Sequence, residues 1–531
     1  MTAGAGPSPA ASAGPGFEHL VVLMFENRSF DNLLGHLYPP GTLPEGQRFD
    51  GVANGSYHNL SPTGPVAAHV YDGPTDRIMQ SPTPDPGEEY QHVNTQLFGI
   101  VDPPQNAGRR AGDMVAPWNA PPDGAAPTMG GFVTDYINSF IASQQRQPSP
   151  EEYRVIMGSF SPGMLPVTSA LARGFAVYDA WFCAVPSQTF CNRSFFNASS
   201  SSGFVTNDGG PHGYRKWARN RVPTIFNRLE EAGISWAVYY DESQVVPLTG
   251  LINAPALRRF WRTRFFGMRR FYADAAAGRL PAYAFIEPRL VFDHNDMHPP
   301  VASFEVLGIP VGAHNDIRAG EQLLHDVYTA VRTSATPAGS NALNTLLLVT
   351  FDEHGGCYDH VPPPSAVPPG PVLPAGTVAS GPALEPEMDF GFDRLGVRVP
   401  TIAISAWTRA GTIIHDEMHH GSAIATLCRK HGLPPLTERD ATARDLTNAL
   451  NLEQPRPVAN WPQTHPQPVP GRDDAHVPFA PEQAGTPLTP PASALMGVLT
   501  AELGLPDGGR RPTTFGAAHQ LLQRGKGLFR I

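Results

Sequence analysis

Residues 345–356 read TLLLVTFDEHGG and residues 19–31 read HLVVLMFENRSFD. Each opens on a short, mainly apolar run without the strict alternation of a half-exposed strand, the pattern of a strand buried on both faces. Each then breaks into side chains carrying oxygen donors, Asp352-Glu353 in one and Glu26-Asn27 in the other. Four more runs of this kind are Ala176–Phe182 (AVYDAWF), Ser235–Tyr240 (SWAVYY), Tyr283–Ile286 (YAFI) and Val399–Ile404 (VPTIAI). Helical periodicity falls between them, at Val222–Ala232, Ala319–Thr333 and Gly421–His431. Strand and helix signals in alternation predict an α/β fold whose mostly parallel central sheet is covered on both faces.

The rest of the composition fits that frame. Gly and Pro number 52 and 58 of 531 residues, well above their usual joint share of about 12%. The excess has no short period, so a collagen-like chain is excluded and long punctuated loops are expected. Residues 40–130 and 356–395 read as such insertions along one sheet edge. Residues 1–16 read as a flexible leader, 17–450 as a catalytic domain, and 451–531 as a Pro-rich linker with a short helical tail. The net charge of −10 is spread along the chain, which argues against a dedicated nucleic-acid binder. No signal peptide is visible and no run is long and apolar enough to span a membrane. The chain therefore reads as cytoplasmic as written, or exported if its start is a processed one. Cys183, Cys191, Cys357 and Cys428 have no C-x-x-C spacing, which excludes a zinc ribbon or dithiol redox site; a Cys183–Cys191 bridge is left open.

In open α/β sheets, ligands bind beyond the carboxyl ends of the strands. A parallel sheet would bring Glu26, Asn27, Asp352 and Glu353 to one rim, where carboxylates and an amide oxygen suit a divalent cation. Gly355 and Gly356 allow close backbone approach there. Acids at strand ends are also ordinary helix caps, so it is the coincidence of the two pairs that points to a site. A third run leads into CAVPSQTFCNRSFF, which places Thr189 in a turn before a helix expected to start near Asn192. A helix N-terminus favours anions, and Arg193 suits phosphate oxygens. Histidines recur beside Asp or Asn, including His92, His298, His314, His354 and His360, as expected of a polar pocket with proton-transfer groups. Arg258–Tyr272 (RRFWRTRFFGMRRFY) reads as a surface helix with its aromatics turned inward, or as a contact with an anionic membrane surface.

With these residues in view, the chain resembles the bacterial phosphoesterase family of non-haemolytic-type phospholipases C and a related metal-dependent acid phosphatase, which share an alkaline-phosphatase-like three-layer fold. The resemblance lies in ENRSFDNLLG (26–35), residues 153–196, FIEP (285–288), TFDEHGGCYDHVPPP (350–364), LGVRVPTIAIS (395–405) and HHGSAIATL (419–427). It implies that Glu26, Asn27, Asp352 and Glu353, with Thr189, hold a divalent metal ion (Ca, Mg, Mn or Zn), and that Thr189 is the nucleophile. His92 matches a phosphoryl contact, and His314 and His298 are candidates for acid–base work; Arg193, His354 and His360 join the expected substrate pocket. Two departures from the family pattern are Cys191, where a proline is usual, and Gly130-Gly131, where an acid is usual. The expected function is hydrolysis of a phospholipid such as phosphatidylcholine, in the manner of phospholipase C, through a phosphothreonine intermediate. The alternatives are a broad-specificity phosphomonoesterase (an acid phosphatase) and a silent protein that binds phospholipid headgroups. The modified Cys or Ser motif of a sulfatase is absent around Thr189.

Overall fold

The computed structural model describes residues 16–209, 212–300, 304–306, 309–311, 315–370, 386–470, 484–505 and 512–529. Eight strands form the main sheet: β1 (His19–Phe25), β2 (Ala176–Tyr178), β3 (Trp236–Tyr240), β4 (Phe265–Gly267), β5 (Tyr283–Glu287), β6 (Thr345–Phe351), β7 (Thr401–Ile404) and β8 (Thr412–Ile414). Their spatial order is β8-β2-β7-β6-β1-β5-β3-β4. Only β7 runs against the others. The expected mostly parallel sheet is therefore present, and β1 and β6 lie side by side near its centre.

Every residue of β1 after His19, and every residue of β6, is buried. A strand that shows no side to water must be covered on both, and two helical layers do this. One contains α1 (Pro166–Gly174), α4 (Met268–Ala276) and α5 (Ile317–Thr333); the other contains α2 (Thr189–Ala198), α3 (Ile225–Glu231) and α6 (Gly421–His431). The C-terminal helices Pro490–Glu502 and Phe515–Gly525 pack on each other, the first of them also against Gly213–Arg219 and Leu248–Ile252, and their Leu495, Leu499 and Leu522 join the same buried core.

Some boundaries differ from the sequence expectation. The run Ala176–Phe182 splits at Asp179-Ala180: β2 stays in the main sheet, while Trp181–Phe182 pairs with Met418–His419. Asp179 takes hydrogen bonds from His415 and the Asp50 amide, an arrangement a regular strand would not leave free. Arg258–Tyr272 is not one helix. A short turn at Arg258–Phe260 is followed by β4, which pairs with β3, and then by the start of α4. The aromatics Phe260, Trp261, Phe265 and Phe271 are buried, which sets this winding path. Arg258, Arg264 and Arg270 form ion pairs with Glu502, Glu230 and Asp274. All four cysteines are free, buried thiols, so Cys183 and Cys191 are not bridged. Among the described residues no helix is long and apolar enough to cross a membrane.

Candidate active site

The parallel register of β1 and β6 sets Phe25 opposite Phe351, so Glu26 and Asp352 leave the sheet together. The backbone continues the pairing past the strand ends. The Asp352 amide donates to the Phe25 carbonyl at 3.1 Å, and the Arg28 amide to the Glu353 carbonyl at 3.0 Å. Asp352 Oδ1 accepts from the amides of Asn27 and Glu353 at 3.1 and 2.7 Å. Asn27 adopts the left-handed conformation (φ 57°), which asparagine tolerates better than most residues. The expectation for the glycines holds at Gly355: φ is +59° and an added Cβ would lie 2.4 Å from the Asn27 carbonyl oxygen.

Thr189 comes to this rim on α2. The helix starts at Thr189 itself rather than near Asn192, because Gln188 already serves as the cap position. Asn207 secures the turn from both sides: its amide donates to the Gln188 side chain at 2.8 Å, and its Oδ1 accepts from the Phe190 amide at 3.0 Å. The Thr189 hydroxyl donates toward Glu26 Oε2 at 3.4 Å. One turn along the helix, Arg193 reaches Glu26 Oε1 at 2.5 Å and Asp352 Oδ2 at 3.3 Å, and all three side chains are fully buried. Arg193 is thus committed to the carboxylates, where the sequence reading expected a substrate contact. Those two acids hold its guanidinium firmly protonated against the effect of burial.

Burial pushes the carboxyl groups of Glu26 and Glu353 well up; Arg193 opposes this at Glu26, whereas Glu88 and Asp352 add to it at Glu353. Burial also raises Asp352, against the pull of Arg193. Asn27 Oδ1 and Glu353 Oε1 are buried without a hydrogen-bond partner. Unpaired buried oxygens are costly. Crowded carboxylates with orphaned oxygen donors fit a hard divalent cation, which would be held by Glu26, Asn27, Asp352 and Glu353 beside the Thr189 hydroxyl.

The histidines divide between this rim and other places. His298 is fully buried, with Nε2 3.6 Å from Glu88 Oε2 and Nδ1 3.8 Å from Asp85 Oδ1. Burial disfavours its charged form, but Asp85 and Glu88 outweigh that and raise it to about 10. His92 bonds Asp135 at 2.7 Å and is raised to about 9, because Asp135, Glu89 and Glu88 overcome its burial. His354 sits behind Glu353, bonded through Nε2 to Gln96 at 2.7 Å; burial alone lowers it to about 3, so it is neutral. His360 is drawn elsewhere, to Asp31 at 2.6 Å and Asp50 at 3.0 Å, in a network with Arg398. His314 lies outside the described residues.

Several residues of this rim are not among the expected site residues, although His420 lies in the HHGSAIATL stretch that carries the resemblance. Glu88, whose carboxylate accepts from the Asn27 side-chain nitrogen, and Asp85 sit in a Pro/Gly stretch that reads only as an insertion. Asp135, one turn into the helix Phe132–Gln144, supplies an acid close after the position where Gly130-Gly131 depart from the family pattern. His420 orients the rim from behind, its Nε2–H donating to the Asp352 carbonyl at 2.6 Å. For Asp85 and Glu88 the one hint is their closeness in sequence to His92.

A family model described as the phosphoesterase family matches residues 17–434. The chain belongs to the phosphoesterase family. It is 32% identical over 452 residues to "Non-specific phospholipase C1" of Arabidopsis thaliana, covering 82% of this chain and 71% of that protein. It is 27% identical over 492 residues to "Phospholipase C B" of Mycobacterium tuberculosis, covering 87% and 83%. Among solved structures, a protein in the alkaline phosphatase superfamily from Vibrio parahaemolyticus aligns with 54% of this chain and 65% of its own, under two thirds of its length. Its identity is 11% and its TM-score 0.30, too slight a likeness to carry any argument. As a phosphoesterase, this chain is a hydrolase of phosphoric esters.

Proposed function

We propose that this phosphoesterase cleaves phospholipids in the manner of a phospholipase C, with Thr189 as a covalent nucleophile and a divalent cation at the rim. The observation that carries the reading is the Thr189 hydroxyl at the first position of α2, aimed at Glu26 Oε2 from 3.4 Å. A phosphoryl group over that helix N-terminus meets the positive end of the helix dipole. The Thr189 oxygen attacks phosphorus, the bond to the glycerol oxygen breaks, and diacylglycerol leaves with a proton. Water then attacks the same phosphorus and returns the hydroxyl to Thr189 as phosphocholine departs.

When bound, the cation supplies charge that stabilises an alkoxide and the phosphoryl oxygens. The chain's own part is to fix the geometry. Arg193 and the two backbone amides on Asp352 lock the carboxylates, so little reorganisation remains for the reaction itself. His92, kept cationic by Asp135, is proposed to face phosphoryl oxygens, and His314 remains the candidate for protonating the leaving oxygen.

The test is product analysis with phosphatidylcholine in mixed micelles, with and without EDTA. The reading predicts diacylglycerol and phosphocholine, both abolished by the chelator. Free choline with phosphatidate, or turnover confined to phosphomonoesters, would refute it.

A further inference from the structure

Beside the rim, Asp85, Glu88 and His298 each place one ligand atom within 4.8 Å of the other two. Two of them stand three residues apart on either side of Pro86-Gly87, and the third comes from the loop after β5. That loop is fixed to the rim, since the Glu26 amide donates to the Asp296 carbonyl at 2.9 Å. The Glu88 segment is fixed too, by packing of Gly87 over Gly356, where φ is +67° and an added Cβ would meet the Gly87 carbonyl at 2.5 Å.

His298 is oriented as a ligand. Its Nδ1–H donates to the Pro299 carbonyl at 2.6 Å, which fixes the ring and turns Nε2 toward Glu88. Histidines that bind metals characteristically hand the other ring N–H to a carbonyl or carboxylate in this way. Nε2 itself is fully buried and has no hydrogen-bond partner, and Asp85 Oδ1 is likewise unpartnered. Asn27, assigned above to the first cation, donates to Glu88 through its side-chain nitrogen and so joins the two clusters. Two unpaired polar atoms thus belong to one cluster of two carboxylates and an imidazole. A divalent cation satisfies both, and this mixed nitrogen–oxygen set suits Mn2+ or Zn2+ better than Ca2+.

We infer that Asp85, Glu88 and His298 form a second divalent-cation site next to the one on Glu26, Asn27, Asp352 and Glu353. Glu88 and Asn27 form the seam between them. The inference rests on the first site being a cation site, as proposed above, and it takes His298 out of the proton-transfer role expected from the sequence. A second cation at this place would add positive charge beside the rim, the kind of charge that stabilises phosphoryl and leaving-group oxygens.

The experiment counts Mn2+ bound by tag-free, chelator-stripped protein and looks for coupling of bound Mn2+ to a nitrogen nucleus by pulsed electron paramagnetic resonance. The four residues of the first cluster carry no imidazole, but His354 Nδ1 lies 3.5 Å from Glu353 Oε2, so it is loss of the coupling in H298Q that assigns it to the second site. The expected result is two Mn2+ per chain, one of them nitrogen-coupled. H298Q and E88Q should each bind one without that coupling, and E26Q should keep the coupled one. A wild-type protein in which no bound Mn2+ shows nitrogen coupling overturns the second site, whereas a single Mn2+ that is nitrogen-coupled keeps it and removes the first. Because the readout is binding, loss of the phospholipase reading would leave this result standing, and a wild-type spectrum without coupling overturns the site even if a variant fails to fold.

Discussion

Arg193 stands 2.5 Å from Glu26 with both side chains fully buried, so the cation that neutralises this carboxylate is built into the helix that carries the nucleophile. Removing one partner of a buried pair costs about 3–5 kcal/mol, because the other charge is left unpaired. The variant R193M should therefore melt well below wild type in EDTA. Saturating Mn2+ should restore part of the difference, since a cation on the rim replaces the lost charge. A melting temperature unchanged in EDTA would show that the pair does not carry this role.

The rim acids should govern turnover as well as contribute to folding. The variants E26A and D352A should lower kcat by at least ~100-fold, the scale of losing one preorganised electrostatic element. Relief of like-charge crowding among Glu26, Asp352 and Glu353 should offset part of the stability lost with the ion pair. Steady-state assays at saturating cation check this, with thermal melts in parallel. Wild-type kcat in either variant would remove that residue from the site.

Gly355 tests the closeness of the two strand ends. An alanine there must adopt a positive φ and place Cβ against the Asn27 carbonyl, at 2.4 Å without adjustment. G355A should cost about 1–3 kcal/mol of stability from backbone strain alone. It should also weaken Mn2+ binding, because Asn27 must move. Urea unfolding and a Mn2+ titration measure the two effects, and a variant with wild-type stability would mean the approach is looser than described.

The central strands and the two acidic pairs are legible in the amino-acid sequence. β1 and β6 have the bounds read from HLVVLMF and TLLLVTF, because a central strand buried on both faces announces itself as an uninterrupted apolar run. Their ends can be paired because neighbouring parallel strands finish at one rim. β4 and β8 are three residues long, too short to show a pattern, and the reversal of β7 leaves no mark on composition. At the site, Asp85, Glu88 and Asn207 sit on loops with no periodicity, and only tertiary packing brings them to Asn27 and Thr189.

His360 gives a pH signature in stability. Burial works against its charge, but Asp31 and Asp50 hydrogen-bond the ring, with Asp359 nearby, and raise it to about 9 from its ordinary 6.5; Arg398 and Tyr57 complete its surroundings. A raised histidine contributes stability that is fully present below about 6.5 and lost as pH climbs through about 9. Asp31, held below its ordinary value chiefly by Arg398 and His360 against burial, loses its share only in acid. The wild-type melting temperature should thus fall between about pH 6.5 and 9, and H360Q should flatten that slope. An unchanged slope in H360Q would assign the effect to another group.

The most direct measurement is a rapid acid quench during turnover of phosphatidylcholine labelled in its phosphate, followed by peptide mapping. Thr189 should carry the labelled phosphorus with its headgroup; T189S should be labelled at the same position and retain activity, whereas T189A should show neither label nor turnover. Near wild-type turnover by T189A, or turnover of the wild type with no label ever found on Thr189, would mean that water attacks phosphorus directly.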